Sequence, residues 1–214
     1  MNSISITGKM HPGFDKILTE EAQDFILKLH QKFSGTRKSL LEKRTGIHSK
    51  ILSGEMPGFL KETESVRNGD WQADPVPEDL QDRRCEITGP AEAKMMINAL
   101  NSGATIFMAD LEDSITPNWF NQIQGQQNLI DAYERTLVFT SPEGKEYRLN
   151  EEGLATLILR PRGWHLDEKH ILIDGEAACG ALVDAGLYLF HNIKRTLEKG
   201  TGPYFYLPKL ENHL

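Results

Sequence analysis

Two pairs of charged residues follow apolar segments of the sequence, and their types suit acid–base or anion chemistry. Asp110 and Glu112 follow one such segment, and Arg160 and Arg162 follow a later one. Residues two apart on a strand share a face, so each pair is expected to point to one side. Two carboxylates on one face can hold a divalent cation, order its bound waters or share a proton. A guanidinium can stabilise an oxyanion or an enolate.

Each pair also has a structural interpretation, which residue type and spacing alone favour. The carboxylates of Asp110 and Glu112 can cap the next helix near Ser114. The guanidinium of Arg160 can form a structural ion pair with these acids and join two strands. Spacing alone leaves both interpretations open.

The other reactive side chains carry weaker patterns. His165 and His170 lie five residues apart, whereas a zinc-protease helix needs two histidines four apart, so a loop or hairpin is the better interpretation. The cysteines, Cys85 and Cys179, lack a partner pattern and are expected to be free, buried thiols of a reducing compartment. Nucleotide-binding glycine motifs and the esterase serine motif are absent from the sequence.

These residues need elements that bring them together, and the sequence supplies alternating strands and helices after residue 80. Apolar runs that predict strands lie at 85–88, 104–109, 154–159 and 204–207. Helical patterns at 91–101, 119–134 and 182–199 separate them. Such alternation indicates a parallel sheet, either doubly wound or a (β/α) barrel, in which polar groups gather at the carboxyl ends of the strands.

The remaining segments predict a helical start and two hairpins. A first helix is expected from Thr19 to Ser34-Gly35, and a second from Thr36 to about Lys43. Residues 45–80 are expected to form loops with at most one short helix. Turn signals predict hairpins around 141–144 and at Asp174-Gly175. The aromatic cluster 204–206 is expected in the barrel core.

Composition bounds the class of protein. The chain has 214 residues with 24 Lys and Arg against 31 Asp and Glu, a net charge of −7. This balance argues against a general nucleic-acid partner, because phosphate binding needs a basic face. No signal-peptide core or spanning apolar run is present, so no membrane partner is expected and a cytoplasmic location is predicted.

Longer strings then resemble one known family, malate synthase of the shorter, A-type form. They are Asp82–Pro90, Lys94–Asn101, Phe107–Ser114, Arg160–Leu166 and Gly202–Lys209. Their order and spacing match along residues 80–214, and the helical start and the region of Trp71 resemble the family's N-terminal segment. The resemblance covers essentially all of this chain but less than half of a typical family member.

The resemblance implies an enzyme of the glyoxylate cycle that condenses acetyl-CoA with glyoxylate and water to give malate and CoA, using magnesium. Carried over by motif, Arg160 is the catalytic arginine that stabilises the enolate. Asp110 and Glu112 match the acidic pair that lines the metal site, through metal-bound waters rather than as direct ligands. The general-base aspartate and the direct magnesium carboxylates have no match in this chain, so no metal ligand is assigned here.

The resemblance also implies the α/β fold class, with residues 81–214 as the first half of a TIM barrel of about four strands with hairpin insertions. Residues 1–80 would form an N-terminal helical clasp. We expect a fragment that is inactive alone, with two open sheet edges and an exposed apolar inner face; the sequence does not fix its oligomeric state. The alternatives are a CoA-ester lyase of the citramalyl or citryl type and a non-catalytic binding module, but the strings at 107–114 and 160–166 look more like the synthase.

Overall fold

The structure, a computed structural model, describes residues 3–211 and His213. A largely helical N-terminal stretch precedes alternating strands and helices. In chain order the elements are β1 (Ile4–Ile6), α1 (Phe14–Ile17), α2 (Glu20–Leu52), α3 (Glu64–Arg67), β2 (Glu86–Pro90), α4 (Ala93–Leu100), β3 (Ile106–Asp110), α5 (Trp119–Glu134), β4 (Val138–Thr140), β5 (Glu146–Arg148), β6 (Thr156–Arg160), β7 (Asp167–Ile173), β8 (Glu176–Cys179) and α6 (Gly180–Glu198). Short 3-10 turns occur at Lys61–Thr63 and Glu78–Leu80.

Helix α2 is one continuous helix of 33 residues, so the prediction of two helices divided at Ser34-Gly35 is wrong. The start is as predicted, because the Thr19 hydroxyl accepts a backbone N–H of the first turn at 3.2 Å. Gly35 lies inside the helix, since a glycine weakens a helix without ending it unless its backbone turns left-handed. That turn comes only at Gly54, whose φ is 97°. Part of the predicted 45–80 loop is therefore helix.

A parallel sheet of β2, β3 and β6, in that order, confirms the predicted α/β arrangement. Helix α4 connects β2 to β3, and α5 lies in the connection from β3 to β6. The register pairs Pro90 with Asp110 and Asp110 with Arg160, so the three strands end level with one another. Within residues 3–211 and 213 the sheet stays open, as expected for part of a barrel.

The fourth predicted strand is present only as an extended segment beside β6. A single parallel bridge joins Phe205 to Leu159. The Leu159 N–H donates to the Tyr204 carbonyl at 3.0 Å, and the Tyr206 N–H donates to the Leu159 carbonyl at 2.8 Å. The segment therefore lies where the next strand of a barrel would lie.

The two faces of the parallel sheet are buried by different partners. On one face, Phe107, Leu157 and Leu159 pack against α4 and α5 in the largest apolar cluster. On the other face, Ile106 and Ile158 are buried, at 0% and 6% exposure, in a cluster with Leu80 and against Tyr204. The expected exposed apolar inner face is therefore wrong for these two residues, because the 3-10 turn ending at Leu80 covers them.

The aromatic cluster 204–206 divides between the two faces. The ring of Phe205 meets Tyr188 of α6 edge-on, with centroids 5.3 Å apart, inside the core. The Tyr204 hydroxyl donates to Asp79 at 2.6 Å on the opposite face, and burial and this contact raise the pKa of Tyr204 to about 12. Tyr206 is 49% exposed, so the prediction of a wholly buried cluster is wrong for this residue.

Both predicted hairpins are confirmed, as β4–β5 and β7–β8. Asp174 and Gly175 in the second turn have φ values of 52° and 86°, the pattern that tight antiparallel hairpins require. Strand β1 pairs with β7, so the N-terminus joins the sheet of the second hairpin. Ala22 and Ile26 of α2 are buried in the same core.

The two cysteines differ in burial. Cys179 is a buried free thiol, as predicted, whereas Cys85 is exposed, because it precedes β2 rather than lying within it. In the part of the chain that the structure describes, no helix is both long and apolar enough to cross a membrane.

Candidate active site at the ends of the parallel strands

Asp110 and Arg160 meet because they are the last residues of neighbouring parallel strands. They are paired in the register of β3 and β6. Their side chains turn to the face opposite α4 and α5, since Ala109 and Leu159 next to them belong to the helix-facing cluster. The guanidinium Nη1 of Arg160 lies 3.3 Å from Asp110 Oδ2.

The buried carboxylate of Asp110 organises the loop that follows β3. It accepts the backbone N–H groups of Glu112, Asp113 and Ser114 at 2.7, 3.1 and 3.2 Å, and the Ser114 hydroxyl at 2.9 Å. The sequence-based prediction that these acids cap the next helix near Ser114 is wrong, because Asp110 binds the N–H groups of a loop rather than of a helix. Helix α5 itself begins later, with Asn118 as its cap.

Two further carboxylates of that loop reach the same guanidinium. Arg160 Nη2 lies 2.6 Å from Glu112 Oε2 and 2.6 Å from Asp113 Oδ2. The other oxygen of Glu112 accepts the Gly163 N–H at 3.1 Å. Gly163 allows this approach, because a Cβ at that position would lie 2.8 Å from Glu112 Oε1. Arg160 therefore sits among three acids, two of them buried.

Lys209 brings a second cation to the same acids from the segment beside β6. Its Nζ lies 2.9 Å from Glu112 Oε2 and 2.9 Å from the nearer oxygen of Asp113. The side chain of Arg160 is 14% exposed, whereas those of Lys209 and Asp113 are 47% and 55% exposed. The site thus has an enclosed floor and a solvent-exposed rim.

The mutual pairing stabilises the charged forms of these groups. Burial disfavours the charged guanidinium of Arg160, but the neighbouring carboxylates outweigh burial and raise its pKa. The hydrogen bond from Lys209 lowers the pKa of Asp113, and the hydrogen bond to Glu112 raises the pKa of Lys209. Arg160 and Lys209 are therefore fixed positive charges, suited to binding anionic oxygen.

Arg162 does not join this site, and the expectation that it shares a face with Arg160 is wrong. Strand β6 ends at Arg160, so the alternation of faces stops there. Arg162 is buried instead, with Nη2 and Nε at 2.7 and 2.9 Å from the Asp184 carboxylate of α6 and Nη1 at 2.8 Å from Glu168. Burial opposes the charge of Arg162, yet Asp184 and Glu168 raise its pKa.

The histidines lie beside the site or apart from it. His170 is on β7, with Nδ1 2.7 Å from Glu168, which confirms its place in a hairpin. His165 lies in the loop between β6 and β7. Across the described ranges 3–211 and 213, no group of three or more His, Cys, Asp or Glu side chains could hold a metal ion.

Helix α2 contacts the same loop from the N-terminal side. The Nε of Arg37 donates to the Trp164 carbonyl at 2.6 Å, and its Nη2 lies 2.7 Å from Asp167. The side chain of Arg37 is only 11% exposed. The loop that follows Arg160 is thus fixed both by Glu112 and by α2.

Comparison with known proteins supports this geometry. The sequence model of the malate synthase N-terminal domain matches residues 2–65, and the model of the malate synthase TIM barrel domain matches residues 156–214. Together the two matches span more than half of the chain.

This chain belongs to the malate synthase family.

Full-length relatives extend the match over the whole chain. The malate synthase of Myxococcus xanthus (strain DK1622) is 52% identical over 211 residues, which are 99% of this chain and 39% of that protein. The malate synthase of Dictyostelium discoideum is 50% identical over 216 residues, 100% of this chain and 40% of that protein. A protein of Brassica napus named glyoxysomal malate synthase is 47% identical over 215 residues, 99% of this chain and 38% of that protein. The chain spans about two fifths of the length of these curated relatives.

Membership of the malate synthase family explains the open sheet as part of a TIM barrel. The barrel-domain match begins at residue 156, the first residue of β6, and runs through the segment beside it. In such barrels the carboxyl ends of the strands carry the active site. Arg160, Asp110 and Glu112 lie at those ends, as the sequence predicted.

The sequence did not reveal all partners of these charged residues. Asp113 bridges Arg160 and Lys209, and this contact depends on the loop conformation that Asp110 holds. The sequence around Asp184 does indicate a buried ion pair, because a lone acid in the apolar stretch 180–193 requires a buried partner. The sequence alone could not identify Arg162 as that partner.

Proposed function

We propose that the protein to which this chain contributes condenses acetyl-CoA with glyoxylate and hydrolyses the product to malate and CoA. A proton leaves the acetyl methyl group, the resulting enolate carbon bonds to the glyoxylate aldehyde carbon, and the alkoxide takes up a proton. Water then cleaves the thioester carbon–sulfur bond, giving malate and free CoA. Family membership and the cation placed at the carboxyl end of β6 support this proposal.

Arg160 is proposed as the catalytic arginine of this reaction. The observation that supports this role is the position of Arg160 at the end of β6, where it is paired in register with Asp110. Its guanidinium lies in the partly exposed mouth, and the neighbouring carboxylates keep it charged. A guanidinium there suits the enolate oxygen, because a positive donor stabilises the charge that develops as the methyl proton leaves. Asp110 and Glu112 hold that guanidinium in place.

Magnesium is proposed as the cofactor of the whole protein, with Asp110 and Glu112 lining its site through bound waters. The described residues do not by themselves form a direct metal site. The oxygens of Asp110 and Glu112 are already engaged by Arg160 and by backbone N–H groups, and Lys209 also contacts Glu112. The residues of this chain therefore do not fit a first coordination shell.

The division of the chain is also proposed, with a helical clasp at 1–80 and the first half of the barrel at 81–214. The continuous helix α2 and the first barrel strand at Glu86–Pro90 support these limits.

We place the protein in the cytoplasm, with a glyoxysome or peroxisome as the eukaryotic alternative, since the Brassica napus relative is named glyoxysomal.

The test is an assay of the full-length protein for CoA release that requires both acetyl-CoA and glyoxylate, with malate identified by mass. Arg160→Lys keeps the positive charge but loses the planar guanidinium, whose several N–H groups contact the acids. The kcat should therefore fall by about 10²–10³-fold. Arg148→Lys is the matched control, because Arg148 is an exposed arginine paired with Glu146, and its kcat should be unchanged. Cleavage of citramalyl-CoA without malate synthesis would favour the lyase instead.

A further inference from the structure

A cavity of about 240 Å³ lies at the amino end of β6, where α5 and α6 also end. Strand β6 runs from Thr156, which lines this cavity, to Arg160 in the candidate active site. At about 3.3 Å per residue, those two residues are roughly 13 Å apart along the strand. The cavity is therefore separate from the mouth of the partial barrel.

Much of the cavity wall is apolar. Leu100 of α4, Ala132 of α5 and Leu157 of β6 line it and are buried. Leu154 and Ala155, which precede β6, extend this wall. An apolar cavity of about 150 Å³ is large enough to bind benzene, so this one has room for the carbon part of a small organic molecule.

Two cations without an ion pair line the same cavity. Arg135 caps the end of α5 and Lys199 caps the end of α6, and both are exposed. Neither forms an ion pair within the described residues, and Glu134, the acid beside Arg135, lies 2.6 Å from Arg195 instead. The helix dipole favours a cation at each of these helix ends, but it does not require the two to line one cavity.

The backbone of Arg135 supports a role for its side chain. Its φ of 64° lies in the left-handed region, which is unfavourable for residues with a Cβ. After α2 and α6 the left-handed residue is a glycine, Gly54 and Gly200, as is usual at helix ends. An arginine at such a position indicates that its side chain has a function that glycine could not supply.

A buried hydroxyl adds an uncharged donor. The hydroxyl oxygens of Tyr133 and Tyr188 lie 2.7 Å apart, and both residues are buried. Only one of their two hydrogens lies in this bond, so the other has no acceptor within the described residues. Tyr133 lines the cavity, and burial raises its pKa, so its hydroxyl stays protonated. When Tyr188 donates to Tyr133, the hydrogen of Tyr133 is available to a ligand oxygen.

Asp79 sets the charge that the cavity can accept. Its carboxylate accepts the hydroxyl groups of Thr201 and of Tyr204, the latter at 2.6 Å, so its contacts there are with neutral donors. Together with Arg135 and Lys199, the lining carries two positive charges and one negative charge. One further negative charge neutralises it, which favours a monoanion over a dianion.

We propose that this cavity binds a small monocarboxylate with an apolar body. The carboxylate pairs with Arg135 and Lys199 and accepts a hydrogen bond from Tyr133, because charged donors hold a carboxylate more strongly than neutral ones. The apolar body packs against Leu100 and Leu157. The inference is independent of the proposed function, since none of these residues belongs to the candidate active site.

Benzoate is the probe, and titration calorimetry measures its affinity for the full-length protein with excess glyoxylate present to occupy the mouth. Benzoate should bind under these conditions, and benzyl alcohol, which lacks the charge, should bind at least tenfold more weakly. Arg135→Met and Lys199→Met should each weaken benzoate binding about tenfold. Arg148→Met is the matched control, because it removes an exposed arginine paired with Glu146, and it should leave the affinity unchanged.

Arg135→Gly separates ligand binding from a structural role. Glycine adopts a φ of 64° without strain, so this variant should have a higher urea midpoint than the unchanged protein and yet bind benzoate about tenfold more weakly. No benzoate binding, equal affinity for benzyl alcohol, or full affinity in both Arg135 variants and in Lys199→Met overturns the proposal. A lower urea midpoint in Arg135→Gly also overturns it, because the arginine would then serve the fold.

Discussion

At the scale of single residues, two arginines two positions apart have separate tasks. Arg160 faces the mouth of the partial barrel with an exposed rim, whereas Arg162 is enclosed with Asp184 and Glu168. The alternation that predicted a shared face holds only while the chain remains a strand, and β6 ends at Arg160. Arg162 therefore anchors the chain after β6 to α6 and to β7.

Arg162→Met should lower the free energy of unfolding of the full-length protein by about 3–5 kcal/mol, because it leaves two buried carboxylates without their cation. The loss should shrink as the pH falls. Glu168 is buried, which raises its pKa, but Arg162 and other contacts lower it overall. Without Arg162, burial raises the pKa of the carboxylate, so the folded variant takes up protons more readily than the unfolded chain and gains stability in acid. Urea unfolding at several pH values measures both effects.

Arg148→Met serves as the comparison for Arg162→Met. Arg148 pairs with Glu146 on the surface, with side chains 64% and 48% exposed, so its loss should cost less than about 1 kcal/mol. Equal losses for the two variants would contradict the account of the buried network.

At the scale of elements, the sequence predicted strands better than helix ends. Apolar runs identified β2, β3 and β6, and the helical pattern at 119–134 coincides with α5. The run 204–207 gives an equally clear strand pattern, yet it forms only one bridge to β6. Pairing is not encoded in the local pattern.

The sequence prediction divides α2 at Gly35, and the glycines inside this helix allow a test of its continuity. Gly35 and Gly46 lie inside the helix on exposed positions, and a Cβ at either would meet nothing within 4 Å. Gly35→Ala and Gly46→Ala should each raise the free energy of unfolding by about 0.5–1 kcal/mol, because alanine loses less backbone freedom on folding. Thermal and urea unfolding measure the gain.

Gly54 is the internal control for this series. Its φ of 97° is left-handed, so Gly54→Ala should destabilise the protein by about 1 kcal/mol or more. Equal changes in the free energy of unfolding for all three alanine variants would contradict both the continuous helix and its end at Leu52.

The contribution of His191 to stability should decline in mild acid. Nε2 of His191 on α6 donates to the Ile17 carbonyl at 2.8 Å. Burial lowers the pKa of His191 below its usual value and Arg195 lowers it further, while the bond to Ile17 only partly offsets them. The unfolded chain then binds the proton more readily, so this contribution is full above about pH 6.5 and declines as the pH falls towards the folded pKa.

Urea midpoints of the full-length protein at pH 7.5 and 5.5 measure this decline. The unchanged protein should lose more stability between the two values than His191→Asn, whose neutral amide cannot titrate. His48→Asn is the control for replacing a histidine by asparagine, since His48 is exposed on α2. A steeper decline in His191→Asn would reverse the assigned sign.

At the scale of the whole molecule, the N-terminal stretch is built into the site rather than merely joined to it. Strand β1 pairs with β7, and Arg37 of α2 bonds to the loop after Arg160. The sequence indicated the helix but not these contacts, because they depend on how distant segments pack. The half of the barrel mouth in this chain is therefore held from both sides.

That half should not suffice for turnover, and residues 1–214 expressed alone should form no malate. Arg160 and Lys209 are cations with raised pKa values, and Asp113 is a weak base because Lys209 lowers its pKa. Asp110 and Glu112 accept hydrogen bonds from cations and backbone N–H groups, so neither of these two buried carboxylates is free to take the methyl proton. Circular dichroism and a cooperative urea transition establish that the polypeptide is folded, and the full-length protein is the positive control. Malate formation by the folded polypeptide at the full-length rate would show that one of these paired acids is the base.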